Sequence, residues 1–154
     1  MEGHWGAFGI GVLSGLRSMS AVAALSWAAA SGHIRIGWIP LGPERRGLAT
    51  VAALAEMAGD KMPFAPDRRI VPSFLVRLVL GAVGGAALAG GGVSRREGAM
   101  TGVAGAVAGT LLGRAARGAT TRSGSDWARA LTEDALAASL ALALVCSAAR
   151  PGRI

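Results

Sequence analysis

Uncharged, largely apolar runs bounded by charges dominate the chain, from Gly3 to Leu16, Ser18 to Arg35, Gly47 to Ala55, Leu78 to Ser94, Gly98 to Gly113 and Ala135 to Ala149. With Pro, Gly and charge clusters as boundaries, the pattern predicts helices over Trp5 to Ala30, Gly47 to Met62, Pro72 to Val93, Gly98 to Arg117 and Asp126 to Ala149. No uncharged run reaches the ~20 apolar residues that cross a bilayer, so a span here must include a charge, stay short or re-enter. Trp5, Trp27, Trp38 and Trp127 fall near the proposed segment ends, where amphipathic rings favour the headgroup region.

Composition turns this pattern into a class. Of 154 residues, 52% are hydrophobic and 16% charged, and the mean hydropathy is +0.47. A soluble domain carries fewer apolar and more charged residues. The expected fold is therefore all-α: a single-domain polytopic integral membrane bundle of four to five segments, placed in a bacterial inner membrane with the lipid bilayer as its first partner. A cleaved signal peptide does not fit, because Met1-Glu2-Gly3-His4 has no positive charge and Arg17 interrupts the apolar stretch. Basic residues divide seven against six between the loops of a five-crossing topology, which assigns no orientation. The net charge of +7 is spread over every connection and is not interleaved with aromatics, so nucleic acid is not an expected partner.

Glycine, 24 residues, replaces aromatics as the packing element. Gly98, Gly102, Gly105, Gly109 and Gly113 recur at helical spacing on one face, and Gly81 and Gly85 form a second small-xxx-small pair. Such stripes bring helix backbones together, either inside one bundle or across a homo-oligomer interface.

Charges within apolar segments cost ~2.5–3.5 kcal/mol each on insertion scales, and they pair, line water or serve function. Glu133 has Arg129 four residues earlier. Arg17, Arg77, Glu56 and Asp134 have no opposite charge at three or four residues, and they come from four different segments. The expectation is a polar centre in which Arg17 and Arg77 meet Glu56, Asp60 and Asp134 across helices. Glu56 and Asp60, one turn apart, would hold a proton or a cation. Gly15-Leu16-Arg17-Ser18-Met19-Ser20 divides the first segment, so a discontinuous helix capped by Ser18 or Ser20 competes with a continuous one. Asp60-Lys61-Met62-Pro63 ends the second helix in a rigid charged turn.

Taken together, Gly15-Leu16-Arg17, Glu56 with Asp60-Lys61-Met62-Pro63, Arg77 with Gly81-Ala82, and Glu133-Asp134-Ala135 resemble a bacterial family of small multi-span proteins catalogued as domain of unknown function 4126. The resemblance covers most of the chain. It implies membrane helices and draws attention to Arg17, Glu56, Asp60, Lys61, Arg77 and Asp134, without supplying an activity.

The function expected from these residues is a small channel or transporter with a charged site for an ion or small anionic solute. The alternative is an accessory membrane subunit whose charges only join helices. His4 and His33 stand alone and Cys146 has no intrachain partner, so no cofactor or metal is expected; no Ser/His/Asp set or phosphate loop points to an enzyme.

Overall fold

Small residues decide which helices meet. In the computed structural model, which describes residues 2–30, 42–59, 71–90, 92–118 and 126–148, the helices are α1 (Glu2–Leu16), α2 (Ser18–Ala30), α3 (Pro43–Gly59), α4 (Val71–Leu88), α5 (Arg95–Gly118) and α6 (Asp126–Ala148). No strand occurs among the described residues. The all-α expectation holds.

Helix α5 lies in the groove between α1 and α4. Its glycine arc makes this possible. A Cβ on Gly98 or Gly102 would run into the carbonyl oxygens of Gly85 or Gly81, and one on Gly105 or Gly109 into those of Phe8 or Val12. The same arc therefore serves two neighbours inside the chain, with Gly81 and Gly85 of α4 and Gly11 and Gly15 of α1 as the reciprocal small positions. Gly113 continues the arc and is buried. With no side chains in the way, the helix backbones touch, the arrangement that small-residue stripes permit.

Beyond the break at Arg17 the surroundings change. Helix α2 packs on α3 and α6. Ala21, Ala24 and Leu25 of α2 join Ile10 and Leu13 of α1 and Ala137 and Leu144 of α6 in one buried apolar cluster. The chain thus runs from a glycine-packed trio, α1, α4 and α5, into a second group formed by α2, α3 and α6.

Helix α3 starts at Pro43, four residues ahead of the expected Gly47, and three further differences stand out. The first segment is two helices of 15 and 13 residues, begun at Glu2 rather than Trp5. Helix α4 stops at Leu88, ahead of a glycine-rich turn in which Gly92 has φ 88°, a backbone region open to glycine at little cost. Helix α5 starts at Arg95, earlier than Gly98, because Ser94 and Glu97 form a reciprocal cap: the Ser94 amide donates to the Glu97 carboxylate at 2.9 Å and the Glu97 amide to the Ser94 hydroxyl at 3.2 Å. The backbone amide and then the hydroxyl of Ser94 hold the Glu97 carboxyl below the ordinary glutamate value.

Among the described residues no helix is long and apolar enough to cross a membrane. Four helices nonetheless expose large apolar side chains: Leu48, Val51 and Leu54 of α3, Phe74, Leu75, Val76 and Val79 of α4, Met100, Leu111 and Leu112 of α5, and Leu136 and Leu142 of α6. The exposed charged side chains that are described, Glu44, Arg45, Arg95, Arg96, Glu97 and Arg114, lie toward the ends of their helices. Arg17, at the break between α1 and α2, and Arg77, in the second turn of α4, are turned inward. Arg17 is 3% exposed and Arg77 7%, whereas Leu48 is 68% exposed and Met100 74%.

Candidate functional site

The break at Arg17 comes from backbone accounting. An uninterrupted helix would send the Ser18 and Met19 amides to the carbonyls of Ser14 and Gly15. Here both amides donate instead to the two carboxylate oxygens of Glu56 on α3, at 3.2 and 2.9 Å. The Gly15 carbonyl accepts from Nη1 of Arg77 on α4 at 2.8 Å, with the Thr110 hydroxyl of α5 at 3.4 Å. The chain does not swing away at this point, because Arg17 still donates its amide to Leu13 at 2.7 Å and accepts from Ala21 at 3.3 Å. The result is a local gap in the hydrogen-bond ladder, filled from outside by one anion and one cation.

The signs follow the helix dipoles. A helix end carries about half an elementary charge, positive at the N-terminus and negative at the C-terminus. Glu56 sits at the positive start of α2, and Arg77 at the negative end of α1. Between them Arg17, the joining residue, donates through Nη2 to Oδ1 of Asp134 on α6. Ser14 adds a further tie, with its hydroxyl 2.8 Å from the Gly11 carbonyl and 3.1 Å from that of Arg77. Five helices thus contribute a polar side chain to a single level of the bundle.

Of the residues expected to form a polar centre, Arg17, Glu56, Arg77 and Asp134 are brought together. Their pairing is only partly the expected one. Arg17 meets Asp134, but Glu56 binds backbone amides and Arg77 a backbone carbonyl, since the break creates two poles of its own that compete with the side chains. The amides that Ser18 or Ser20 was expected to cap go to Glu56. Asp60 and Lys61 lie outside the described residues, as do the side chains of Arg129, Glu133 and Trp127 and the whole of His33 and Trp38. Ser14 and Thr110 were not anticipated; their one signal is a hydroxyl interrupting an otherwise Gly, Ala and aliphatic stretch.

Ser20, in the first turn of α2, is 4% exposed, and its hydroxyl has no hydrogen-bond partner among the described residues. Toward the far end of α2, the Trp27 indole donates to Thr50 of α3 at 3.1 Å and lies under the Arg46 guanidinium, 5.4 Å from the ring centre. These contacts fix α2 and α3 as antiparallel neighbours, with Trp27 beside Thr50 and Met19 beside Glu56. Among the described residues no group of three or more His, Cys, Asp or Glu side chains is placed to hold a metal ion.

Comparison with protein-family models, with curated proteins and with solved structures finds no match to this chain.

Proposed function

We propose that the chain is a small bacterial inner-membrane transport protein, passing an ion or small anionic solute at the break between α1 and α2. The observation that carries this reading is the inverted burial: four charged groups surround a broken helix inside, while large aliphatic side chains face outward from α3, α4, α5 and α6. Water penalises both halves of that arrangement, whereas lipid favours the outer half and makes the inner half the place for polar chemistry. Residues 2–30, taken across the break, extend about 43 Å at 1.5 Å per residue, enough to pass a hydrocarbon core of about 30 Å. Discontinuous helices whose free ends meet charged groups are the usual means of building a solute site at membrane depth. The resemblance to the domain of unknown function 4126 family belongs to the same proposal, since Arg17, Glu56, Arg77 and Asp134 are both its motif residues and the residues at the break.

A second reading, an accessory subunit with no transported substrate, is favoured by one observation: Arg17 and Asp134 are bonded to each other, and Glu56 and Arg77 to helix ends. Reconstitution separates the two. Proteoliposomes, with and without valinomycin to carry the balancing potassium, are diluted into isosmotic potassium acetate, potassium chloride or glycerol and followed by light scattering. Solute-selective swelling that is lost in folded Asp134→Asn protein supports transport. Swelling no faster than in empty vesicles for all three solutes replaces transport with the accessory role.

A further inference from the structure

We infer that the end of the bundle where α2 meets α3 is a cytoplasmic surface, seated among the anionic headgroups of the inner leaflet. The chain reaches it by crossing the bilayer four times, with α3 and α4 together making one crossing. The inference rests on the membrane reading, and it supplies an orientation that the loop charges of a five-crossing topology do not.

Contacts along the chain fix the direction of each helix. Gly11 of α1 lies against Gly102 and Gly15 against Ala106, so α5 runs parallel to α1. Gly3 lies against Gly90, and the Ser14 hydroxyl reaches the Arg77 carbonyl, so α4 runs the opposite way. Trp27 meets Thr50 and Met19 meets Glu56, which makes α3 antiparallel to α2. Arg17 meets Asp134 and Gly9 lies against Leu144, which makes α6 antiparallel to α1.

Two of these helices go only half-way. From Pro43 to Glu56, α3 covers about 20 Å and arrives at the level of the break, at 1.5 Å per residue. From Arg77, at that same level, to Leu88, α4 covers about 17 Å more and reaches the start of α1. Together they retrace in reverse the journey of α1 and α2. Helices α5 and α6 cover about 35 Å each, more than the ~30 Å of a hydrocarbon core. Two broken crossings thus lie side by side with their ends at one level, beside two unbroken ones.

This path sorts the cations. The helix ends at Ala30 and Pro43, and those at Gly118 and Asp126, lie at the α2–α3 end. Arg35, Arg45 and Arg46 belong to the first connection, and Arg114, Arg117, Arg122 and Arg129 to the second. The opposite end has Arg95 and Arg96 between α4 and α5, and Arg150 and Arg153 after α6. Seven cations against four is the kind of bias that places an end in the cytoplasm. A five-crossing count loses this bias, because giving α3 and α4 a crossing each exchanges the sides of every connection after α3. At the α2–α3 end, exposed Arg45 stands next to Arg46, which lies over the exposed Trp27 ring. An indole and two guanidinium groups at one rim suit a layer of anionic headgroups.

The test uses inner membranes of a bacterial host carrying the full chain, with Cys146→Ser as a thiol-free background, since Cys146 is the single cysteine. Gly42→Cys, ahead of α3, and Gly90→Cys, after α4, each place one thiol at an exposed position with no atom nearer than 4.0 Å to the new Cβ. A sulfonated maleimide that does not cross membranes is applied to right-side-out and inverted vesicles. Gly90→Cys should label in right-side-out vesicles and lose that labelling in inverted ones, and Gly42→Cys should do the reverse. Labelling of both thiols from one face gives α3 and α4 a crossing each and overturns the four-crossing path. Opposite faces with Gly42→Cys on the outside, or equal labelling of either thiol from both faces, overturns the orientation. If a variant does not accumulate, Gly47→Cys, with nothing within 4 Å of its Cβ, replaces the first and exposed Arg95→Cys the second. Release of the chain by an alkaline carbonate wash removes the membrane reading and this inference with it. The expected labelling without solute-selective swelling leaves the surface and its orientation standing and removes transport.

Discussion

Replacing Asp134 with asparagine removes one charge and almost no volume, and it strips Arg17 of a carboxylate in a setting where the guanidinium is 3% exposed. Arginine does not deprotonate to escape. Breaking a buried pair from one side costs about 3–5 kcal/mol, most of it the penalty for leaving the other charge uncompensated. Asp134→Asn, Asp134→Leu and Arg17→Met should each fall in that range, the last two being the single variants of the cycle. The double variant Arg17→Met with Asp134→Leu should cost no more than either single one, since an apolar pair of similar volume replaces a buried ion pair at little loss. With singles at the low end, the coupling energy of the cycle is then about 3 kcal/mol. Unfolding in mixed micelles against the mole fraction of sodium dodecyl sulfate reads these values through the four tryptophans. Costs that simply add across the cycle, or an Asp134→Asn loss below about 1 kcal/mol, would refute the assignment of this pair as the bond that ties α6 to the break.

Two substitutions of the same kind should have opposite signs. Gly102→Ala puts a Cβ against the Gly81 carbonyl and 3.1 Å from the Gly85 Cα, all backbone, so the overlap cost of about 1–3 kcal/mol opposes a helix-propensity gain of about 1 kcal/mol. Gly47→Ala, in α3 with nothing within 4 Å of the new atom, should show only a gain, up to about 1 kcal/mol; the micelle titration that ranks them in the other order contradicts the close α4–α5 approach. At the exposed start of α5, ahead of the uncharged run 98–113, the Ser94–Glu97 cap should weaken with acid. Because folding lowers the Glu97 carboxyl value, its contribution is present above the ordinary value of 4.5 and fades as pH falls through the lower, folded one. The difference in melting temperature between the unsubstituted protein and Glu97→Gln should therefore shrink on acidification, and a constant difference would count against the cap.

Much of this architecture is legible before any coordinates. Helix periodicity, glycine spacing and the charge-bearing gap at 15–20 depend on neighbours close in sequence, and five apolar segments translate into helices with ends shifted by a few residues. The start of α5 was legible as well, in Ser94-Arg95-Arg96-Glu97, a capping pattern overshadowed by the charges at 95 and 96. What the chain does not spell out is the partner of each buried charge. A search at three and four residues finds side-chain counter-ions only, whereas two of the partners here are backbone poles that exist because Ser18 and Met19 no longer reach Ser14 and Gly15. Arg77 and Glu56 could be recognised as needing compensation, but the compensating groups are a product of the tertiary fold.

The distance along the chain between Arg17 and Asp134, 117 residues, has a consequence for biogenesis. At ribosomal rates of about 5–20 residues per second, the arginine emerges roughly 6–23 seconds before its carboxylate has been synthesised. Glu56 and Arg77 arrive earlier in that interval, so the gap is stabilised in stages and closed last by α6. If the chain inserts in a membrane as proposed, a guanidinium still waiting for its carboxylate resists partition into lipid during that interval, and the nascent protein would depend on the insertion machinery, or on Arg17 reaching the interface, to hold the first segment in place. Truncation before residue 134 would therefore leave the first helix pair, at the opposite end of the polypeptide, as the part that fails.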